Sequence, residues 1–204
     1  MQLNQFIEIP PFLRGTTPLV PWLFLLDLQQ YLSEELEHLD QAFMIKDQVA
    51  IHPSAKIHPQ AIIQGPAVIS ANCYIGPNAL LRNGVWLGEN VSIGAGVEIK
   101  QSIICAQTAI AHFNFVGDSL IGHRVNMEAG AIIANHFNER KNKLITVMVD
   151  GQPVATGVTK FGALVGDDCK IGANAVLSPG TILAKGTVVE RLQLVDQGWQ
   201  SNIQ

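Results

Sequence analysis

The sequence is poor in charged residues and has no long apolar run. Charged residues make up 15% of the 204 positions and the formal net charge is -4, so no general basic field is present to attract nucleic acid. The longest purely apolar run, Trp22–Leu26, covers five positions, far fewer than the about 20 that span a bilayer. The first residues also lack the positive charge that begins a secretory signal. We therefore expect a cytoplasmic protein that binds neither nucleic acid nor membrane.

Cysteine is also scarce. Cys73, Cys105 and Cys169 are widely spaced, odd in number and form no Cys-x-x-Cys motif, so neither a disulfide framework nor a zinc site is indicated. We expect them to be small core residues.

A six-residue repeat of aliphatic residues runs through most of the chain. Every sixth residue over Ile51–Ile99 is Ile or Leu, and the residue two places before each of them, over Val49–Val97, is small and apolar. The ladder resumes at Ile121–Ile133 and at Val165–Val189. A period of six belongs to neither a plain strand nor a helix. It fits a short strand followed by a turn, and three such units close a triangular coil of about 18 residues.

This repeat predicts an all-β fold, a single-stranded parallel β-helix with the aliphatic residues pointing inward. Each coil then pairs with the coils on either side. Residues such as Asn72, Gly76 and Asn90 supply turn conformations that β-branched residues resist. The period alone does not set the handedness.

The first 46 residues do not repeat. Prolines make their first part irregular, and leucines recur at three- and four-residue spacing within residues 22–38, which predicts an amphipathic helix. We expect this helix to lie against the β-helix or a neighbouring subunit; the alternative is a cap over an open coil end. The β-helix itself is expected over residues 47–190, followed by a polar tail at 191–204.

Two features interrupt the predicted β-helix. The repeat spacing shortens near residues 103–117. Residues 136–160 leave the ladder altogether, and their apolar runs flank Asp150-Gly151, which predicts a protruding β-hairpin. So long an excursion from a solenoid, with strand content of its own, favours a functional role.

Coil stacking brings two cations together. Arg82 and Lys100 are 18 residues apart, so they are expected on one wall about 5 Å from each other. Stacked cations repel unless an anion such as a phosphate lies between them. The alternative is a pair of independent surface cations.

His112 is the most informative histidine. It lies at the change of spacing, 12 residues after Lys100, which carries it to a neighbouring wall. A histidine there can act as a general base near neutral pH; the alternative is an imidazole that bonds a backbone carbonyl at the edge of the core. The histidine spacings do not suit a converging metal site, so we expect no metal.

Three segments together resemble a known family. They are VEIKQS (97–102), AHFNFVGDSLIGHRVNMEAGAIIANHF (111–137) and KNKLITVMVDGQPVATGVTKFGALVGDDCKIGANAVLSPG (141–180). They resemble the C-terminal acetyltransferase domain of the bifunctional glucosamine-1-phosphate acetyltransferase and uridylyltransferase family, and in particular the archaeal-type sugar-1-phosphate nucleotidylyltransferases with the same β-helix. The resemblance implies a left-handed coil, a homotrimer with its sites between subunits, and acetyl-CoA as co-substrate.

The resemblance also implies roles for single residues. His112 matches the general base that activates the sugar amine, and Arg82 and Lys100 match residues that hold the sugar phosphate. The remaining matches are Asn126 and Asn135 to sugar-binding residues, Lys141 to a lysine at the rim, and Ala129 and Ala173 to backbone sites for acetyl-CoA.

Two departures bear on the substrate. Family members carry a tyrosine at the substrate-binding position of Phe115, so a hydroxyl is lost while the ring is kept, and the Asn-Tyr pair of bacterial members is Asn135-His136 here. These 204 residues show no counterpart of the glycine-rich loop of the family's nucleotidylyltransferase half. The segment Arg14–Thr17 has no strand-to-helix context for a phosphate loop, so nucleotide transfer is not expected.

These observations lead to three functional hypotheses. The first is an acetyl-CoA-dependent N-acetyltransferase acting on an amino-sugar 1-phosphate. The second is a non-catalytic sugar-phosphate-binding or scaffold protein that keeps the fold, and the third is an acyltransferase acting on a nucleotide-linked sugar.

Overall fold

A computed structural model describes residues 1–13 and 20–197. The segment Arg14–Thr17 and the end of the tail beyond residue 197 lie outside the described residues. The N-terminal extension contains two short helices, α1 (Pro21–Phe24) and α2 (Leu28–Glu35), and 3₁₀ turns at Leu3–Gln5, Pro11–Leu13 and Leu25–Asp27.

The remainder of the described chain is built from short strands. In chain order they are β1 (Met44–Lys46), β2 (Val49–Ile51), β3 (Lys56–Ile57), β4 (Ile62–Ile63), β5 (Ala67–Ile69), β6 (Tyr74–Ile75), β7 (Leu80–Leu87), β8 (Ser92–Ile93), β9 (Glu98–Ile104), β10 (Ala109–Ile110), β11 (Phe115–Gly117), β12 (Leu120–Ile121), β13 (Asn126–Met127), β14 (Ile132–Ile133), β15 (Thr146–Val149), β16 (Gln152–Ala155), β17 (Ala163–Val165), β18 (Lys170–Ile171), β19 (Val176–Leu177), β20 (Thr181–Leu183), β21 (Val188–Val189) and β22 (Leu194–Val195).

These strands form the predicted left-handed parallel β-helix with three walls. Wall one is the parallel sheet of β3, β6, β8, β10, β13, β18 and β21. Wall two contains β4, the first half of β7 and of β9, β11, β14, β19 and β22. Wall three contains β2, β5, the second half of β7 and of β9, β12, β17 and β20. These three parallel walls confirm the fold class that the hexapeptide ladder predicts.

The ladder residues fill the interior as predicted. Ile69, Leu81, Ile99, Met127 and Leu177 all have no exposed surface, and the small residues two places before the ladder positions pack beside them. The three cysteines are free and buried. Burial raises the pKa of the Cys73 thiol to about 11 and that of the Cys105 thiol further still, which suits core residues rather than reactive thiols.

The change of spacing lies at one corner, between walls two and three. Ile99 pairs with Val116, 17 positions later, whereas Leu81 pairs with Ile99, 18 positions later. The segment from Ile99 to Ile104 is one residue shorter than the equivalent segment of the preceding coil, and the next coil keeps the shorter length. The long excursion leaves from this same corner one coil further on, since β14 ends at Ile133 and β17 begins at Ala163.

The excursion contains the predicted hairpin. Strands β15 and β16 pair antiparallel, with Val149 opposite Gln152. Asp150 and Gly151 have φ values of 50° and 74°, the left-handed conformation that a two-residue hairpin turn requires.

The N-terminal extension lies along wall three and does not cap the coil end. Its leucines at positions 25, 28, 32 and 36 share an apolar cluster with outward residues of that wall, among them Trp86, Ile103 and Leu120. A 3₁₀ turn interrupts the single helix predicted over residues 22–38. Leu26 lies in this turn and is 51% exposed.

The two ends of the coil differ. Strand β1 pairs antiparallel with β2 and covers the first edge of the sheet, which is the usual protection against edge-to-edge association. At the other end β22 pairs with β19, so the last coil reaches beyond residue 190. Among the described residues no helix is long and apolar enough to cross a membrane.

Candidate active site

One group of predicted site residues lies in a column at the corner between walls one and two. The Gly130 N–H donates to the His112 carbonyl at 2.9 Å, and the Asn174 N–H donates to the Ala129 carbonyl at 3.0 Å. His112, Ala129 and Ala173 therefore hold equivalent positions in successive coils. We call this the His112 column.

His112 itself is exposed. Its imidazole makes no hydrogen bond to any residue within the described ranges, so the alternative of a ring bonded to a backbone carbonyl finds no support there. The turn is held by Asn114 instead, whose Nδ2 donates to the carbonyls of Ala111 and His112 at 3.0 and 3.2 Å. The ring nitrogens of His112 are thus available to a ligand.

A second group lies at the corner between walls two and three. Lys100 is 8% exposed, and its Nζ donates to both carboxylate oxygens of Asp118 at 3.0 and 2.8 Å. Asn135 Nδ2 donates to the same carboxylate at 2.5 Å, and Asn135 Oδ1 lies 3.1 Å from Nδ1 of His136. We call Lys100, Asp118 and Asn135 the Lys100 cluster.

The predicted stack of Arg82 on Lys100 is present, but its cations are not unpaired. The two residues are register partners in β7 and β9. Arg82 Nε and Nη2 donate to Oε1 of Glu98 at 2.8 and 2.6 Å, and Lys100 has Asp118. The alternative of two independent surface cations does not describe Lys100, which is buried, and each cation carries its own carboxylate.

Phe115 connects the two groups across wall two. It pairs with Glu98 on one side and with Ile132 on the other. Its ring and the side chain of Asn135 meet over Gly117, where an added Cβ would lie 2.9 Å from the ring and 2.8 Å from Asn135 Nδ2. Glycine at this position therefore lets the two side chains converge.

The remaining predicted residues lie elsewhere. Asn126 is exposed on wall one, paired with Ala109 and Lys170, and Lys141 is exposed in the excursion. Wall one lies opposite the corner that holds the Lys100 cluster, so a single chain does not bring Asn126 to that cluster.

At the positions that match acetyl-CoA sites, the backbone N–H of Ala173 is already hydrogen-bonded within the chain. The Ala173 N–H donates to Oε2 of Glu128 at 2.9 Å, and Arg191 pairs with the same carboxylate at 2.7 Å. Hydrogen bonds from Arg191 and Ala173 lower the pKa of Glu128 to about 2. Glu128 must turn aside before the Ala173 N–H can bind a ligand.

Sequence reasoning missed Glu98, Asp118 and the role of Gly117. Opposite charges at a separation close to one coil, such as Lys100 with Asp118 and Arg82 with Glu98, were the available signal. In the described part of the chain no group of three or more His, Cys, Asp or Glu side chains could hold a metal ion.

A glycine substitution tests the packing at this site. We expect Gly117→Ala to destabilise the protein by about 1–3 kcal/mol, because the new methyl group overpacks the contact between Phe115 and Asn135. Thermal denaturation measures the change. Adding Asn135→Ala should recover part of the loss by making room. A loss in the double variant equal to the sum of the two single-variant losses would contradict this packing account.

Comparisons with known proteins agree with the β-helix fold. The family model "GMPPB C-terminal domain" matches residues 64–160, and that of the hexapeptide repeat of succinyl-transferase matches residues 162–190. The chain is 35% identical over 104 residues to the bifunctional protein GlmU of Methanococcus maripaludis, a match that covers 50% of this chain and 24% of that protein.

Two further similarities concern an enzyme and a fold. A bifunctional sugar-1-phosphate nucleotidylyltransferase/acetyltransferase of Sulfurisphaera tokodaii is 39% identical over 82 residues, covering 40% of this chain and 20% of that protein. The crystal structure of a hexapeptide transferase family protein from Anaplasma phagocytophilum has a TM-score of 0.51 at 18% identity, covering 74% of this chain and 79% of that chain; this likeness shows the fold.

The chain is a left-handed β-helix protein of the hexapeptide-repeat class. Its matched segments are similar to hexapeptide-repeat transferases, among them GlmU and a sugar-1-phosphate nucleotidylyltransferase/acetyltransferase. The matched segments span about a quarter or less of the length of those two bifunctional relatives.

Proposed function

We propose that the protein is an acetyl-CoA-dependent N-acetyltransferase acting on an amino-sugar 1-phosphate. The observation that carries the proposal is the exposed His112 in one column with Ala129 and Ala173, next to a wall whose far edge holds Arg82 and Lys100. A donor thioester on the column and a phosphate at the far edge place an acceptor across wall two, over Phe115.

The proposed chemistry is nucleophilic acyl transfer. The acceptor amine attacks the thioester carbonyl, a bond forms between nitrogen and carbon, and the carbon–sulfur bond breaks to release the CoA thiol. His112 accepts the proton that the amine loses. Holding both substrates in one groove supplies much of the rate, and a backbone N–H supports the tetrahedral oxyanion.

The two cations proposed to meet the phosphate already pair with carboxylates. Arg82 and Lys100 are balanced by Glu98 and Asp118, so a phosphate must compete with these carboxylates. Arg82 is the better placed of the two cations, since its side chain is 30% exposed whereas that of Lys100 is 10% exposed. In this account Arg82 turns from Glu98 to the phosphate, while Lys100 stays held by Asp118.

We further propose a homotrimer with sites between subunits, the assembly that hexapeptide-repeat transferases generally form. Walls one and two, which the N-terminal extension does not cover, expose several large apolar side chains in the single chain. Among them are Ile62, Tyr74, Val188 and Leu194. Exposed Asn126 and Lys141 would then act from a neighbouring subunit's side of the groove.

Two alternatives are tested beside this proposal, a non-catalytic sugar-phosphate-binding protein and an acyltransferase acting on a nucleotide-linked sugar. The paired cations and the absence of a hydroxyl at Phe115 motivate them. A panel of acceptors with acetyl-CoA, read by thiol release, separates them: free amino sugar, amino-sugar 1-phosphate and nucleotide-linked amino sugar. The proposal expects the 1-phosphate to have the highest kcat/KM. A preference for the nucleotide-linked sugar favours the third hypothesis, and binding without turnover favours a non-catalytic protein. The protein's own three cysteines are buried and should contribute little background.

Arginine substitution tests the phosphate contact. We expect Arg82→Ala to raise KM for the 1-phosphate acceptor about 10-fold or more, the value of a lost charge-assisted hydrogen bond, with KM for acetyl-CoA unchanged. Arg124→Ala is the matched control, since Arg124 pairs with Asp168 at 2.7 Å at another corner of the coil. Equal acceptor KM values in wild type and Arg82→Ala would remove Arg82 from the site.

A further inference from the structure

The residue after His112 has an unusual backbone for its type. Phe113 has a φ of 56°, in the left-handed region that bulky residues rarely adopt. In five other coils the equivalent position at this corner also has a positive φ, and it is filled by Asn78, Gly96, Gly130, Asn174 and Leu192. Asparagine and glycine are the residues that suit this conformation.

Burial of the Phe113 ring does not compensate for this unfavourable backbone conformation. It is 71% exposed and lies on the coil before it, over Gly96, where an added Cβ would be 2.7 Å from a ring carbon. Gly130 occupies the equivalent position on the coil after it. Two glycines thus leave an exposed aromatic face between them, and a strained, outward residue beside a reactive group points to ligand contact.

The ring also lies next to the proposed base. The ring centroids of His112 and Phe113 are 6.5 Å apart. Ala129 and Ala173 follow His112 on later coils, whereas the Phe113 ring lies toward the preceding coil. A donor that runs along the column and presents its thioester at His112 therefore directs its acyl group toward Phe113.

We propose that Phe113 is the contact surface for the acyl group of the donor and sets the preference for acyl chain length. This inference rests on the proposed function. The aromatic face buries the acyl carbons without enclosing them, so chains longer than acetyl gain contact area and are accepted.

The test uses Phe113→Asn in the full chain, because asparagine suits the left-handed backbone while it removes the ring. Leu192→Asn is the matched control, at the same corner with a φ of 61° and 78% exposure. Thiol release is measured with acetyl-, propionyl- and butyryl-CoA and a saturating acceptor, alongside the melting temperature and the oligomeric state.

We expect Phe113→Asn to melt at or above the wild-type temperature and to keep its assembly. Its kcat/KM ratio of butyryl- to acetyl-CoA should fall by up to about fourfold for each methylene, as the burial of apolar carbon implies, while Leu192→Asn keeps the wild-type ratio. KM for the acceptor should stay within about twofold of wild type in both variants.

Three results would overturn the inference. An unchanged chain-length preference in folded Phe113→Asn excludes the acyl contact, and dissociation of the assembly in that variant makes Phe113 a subunit contact instead. A rise in acceptor KM alone assigns the ring to the acceptor. If the wild-type protein neither binds CoA nor releases thiol, the proposed function itself fails, a result distinct from these three.

Discussion

Replacing His112 with alanine is expected to lower kcat by a factor of about 10² to 10⁴ and to leave the fold unchanged. The imidazole is exposed and makes no hydrogen bond in the described part of the chain, so its removal deletes no hydrogen bond there. KM for both substrates should change little, since the loss falls on proton transfer in the transition state.

The control for this variant is His58→Ala. His58 lies at the same corner between walls one and two, three coils before His112, and its Nδ1 accepts the Gln60 N–H at 3.2 Å. Steady-state thiol release at saturating substrates measures both variants. Full activity in His112→Ala would remove His112 as the base, and an equal loss in His58→Ala would indicate a general effect of histidine removal.

The largest expected effect on stability is at the Lys100 cluster. Asp118→Ala leaves a buried ammonium without its carboxylate and takes away the acceptor of Asn135, so we expect a loss of about 3–5 kcal/mol in the free energy of unfolding. Replacing both partners, Lys100→Met with Asp118→Leu, should recover much of that loss because no charge then stays buried. Urea denaturation measures all three proteins.

An exposed ion pair supplies the comparison. Arg124 and Asp168 are 43% and 54% exposed, and Asp168→Ala should leave the free energy of unfolding nearly unchanged, because an exposed ion pair is screened by solvent. If Asp118→Ala costs as little as Asp168→Ala, the Lys100 cluster is not the buried, interdependent unit described here.

The fold could be predicted because its signal is repetitive. A single insertion or deletion would have broken the six-residue ladder from Ile51 to Ile99, and there is none. The period therefore predicts directly which residues point into the interior and which face outward. The hairpin was predictable for a local reason, the Asp150-Gly151 turn. The path of the extension was not, because an amphipathic face such as that of Leu28 and Leu32 shows that something covers it without showing which surface does.

The candidate site was predictable only in part. Stacking arithmetic placed Arg82 beside Lys100, but it could not show burial or the carboxylate partners, since a loss of one residue at a corner changes which side chains meet. Asp118 is 18 residues after Lys100, yet the register partner of Lys100 is Gly117. The same shortening lets Asn135 reach Asp118, a contact that a strict 18-residue coil does not predict.

The central claim is that this chain transfers an acetyl group to the amine of an amino-sugar 1-phosphate. The most direct measurement incubates the protein with acetyl-CoA and glucosamine 1-phosphate, quantifies the released thiol and identifies the product by NMR. The account predicts one thiol released for each N-acetylated sugar, with no release when the acceptor is omitted and at least about a 100-fold lower rate in His112→Ala. No N-acetylated product from wild-type protein that binds both substrates would contradict it.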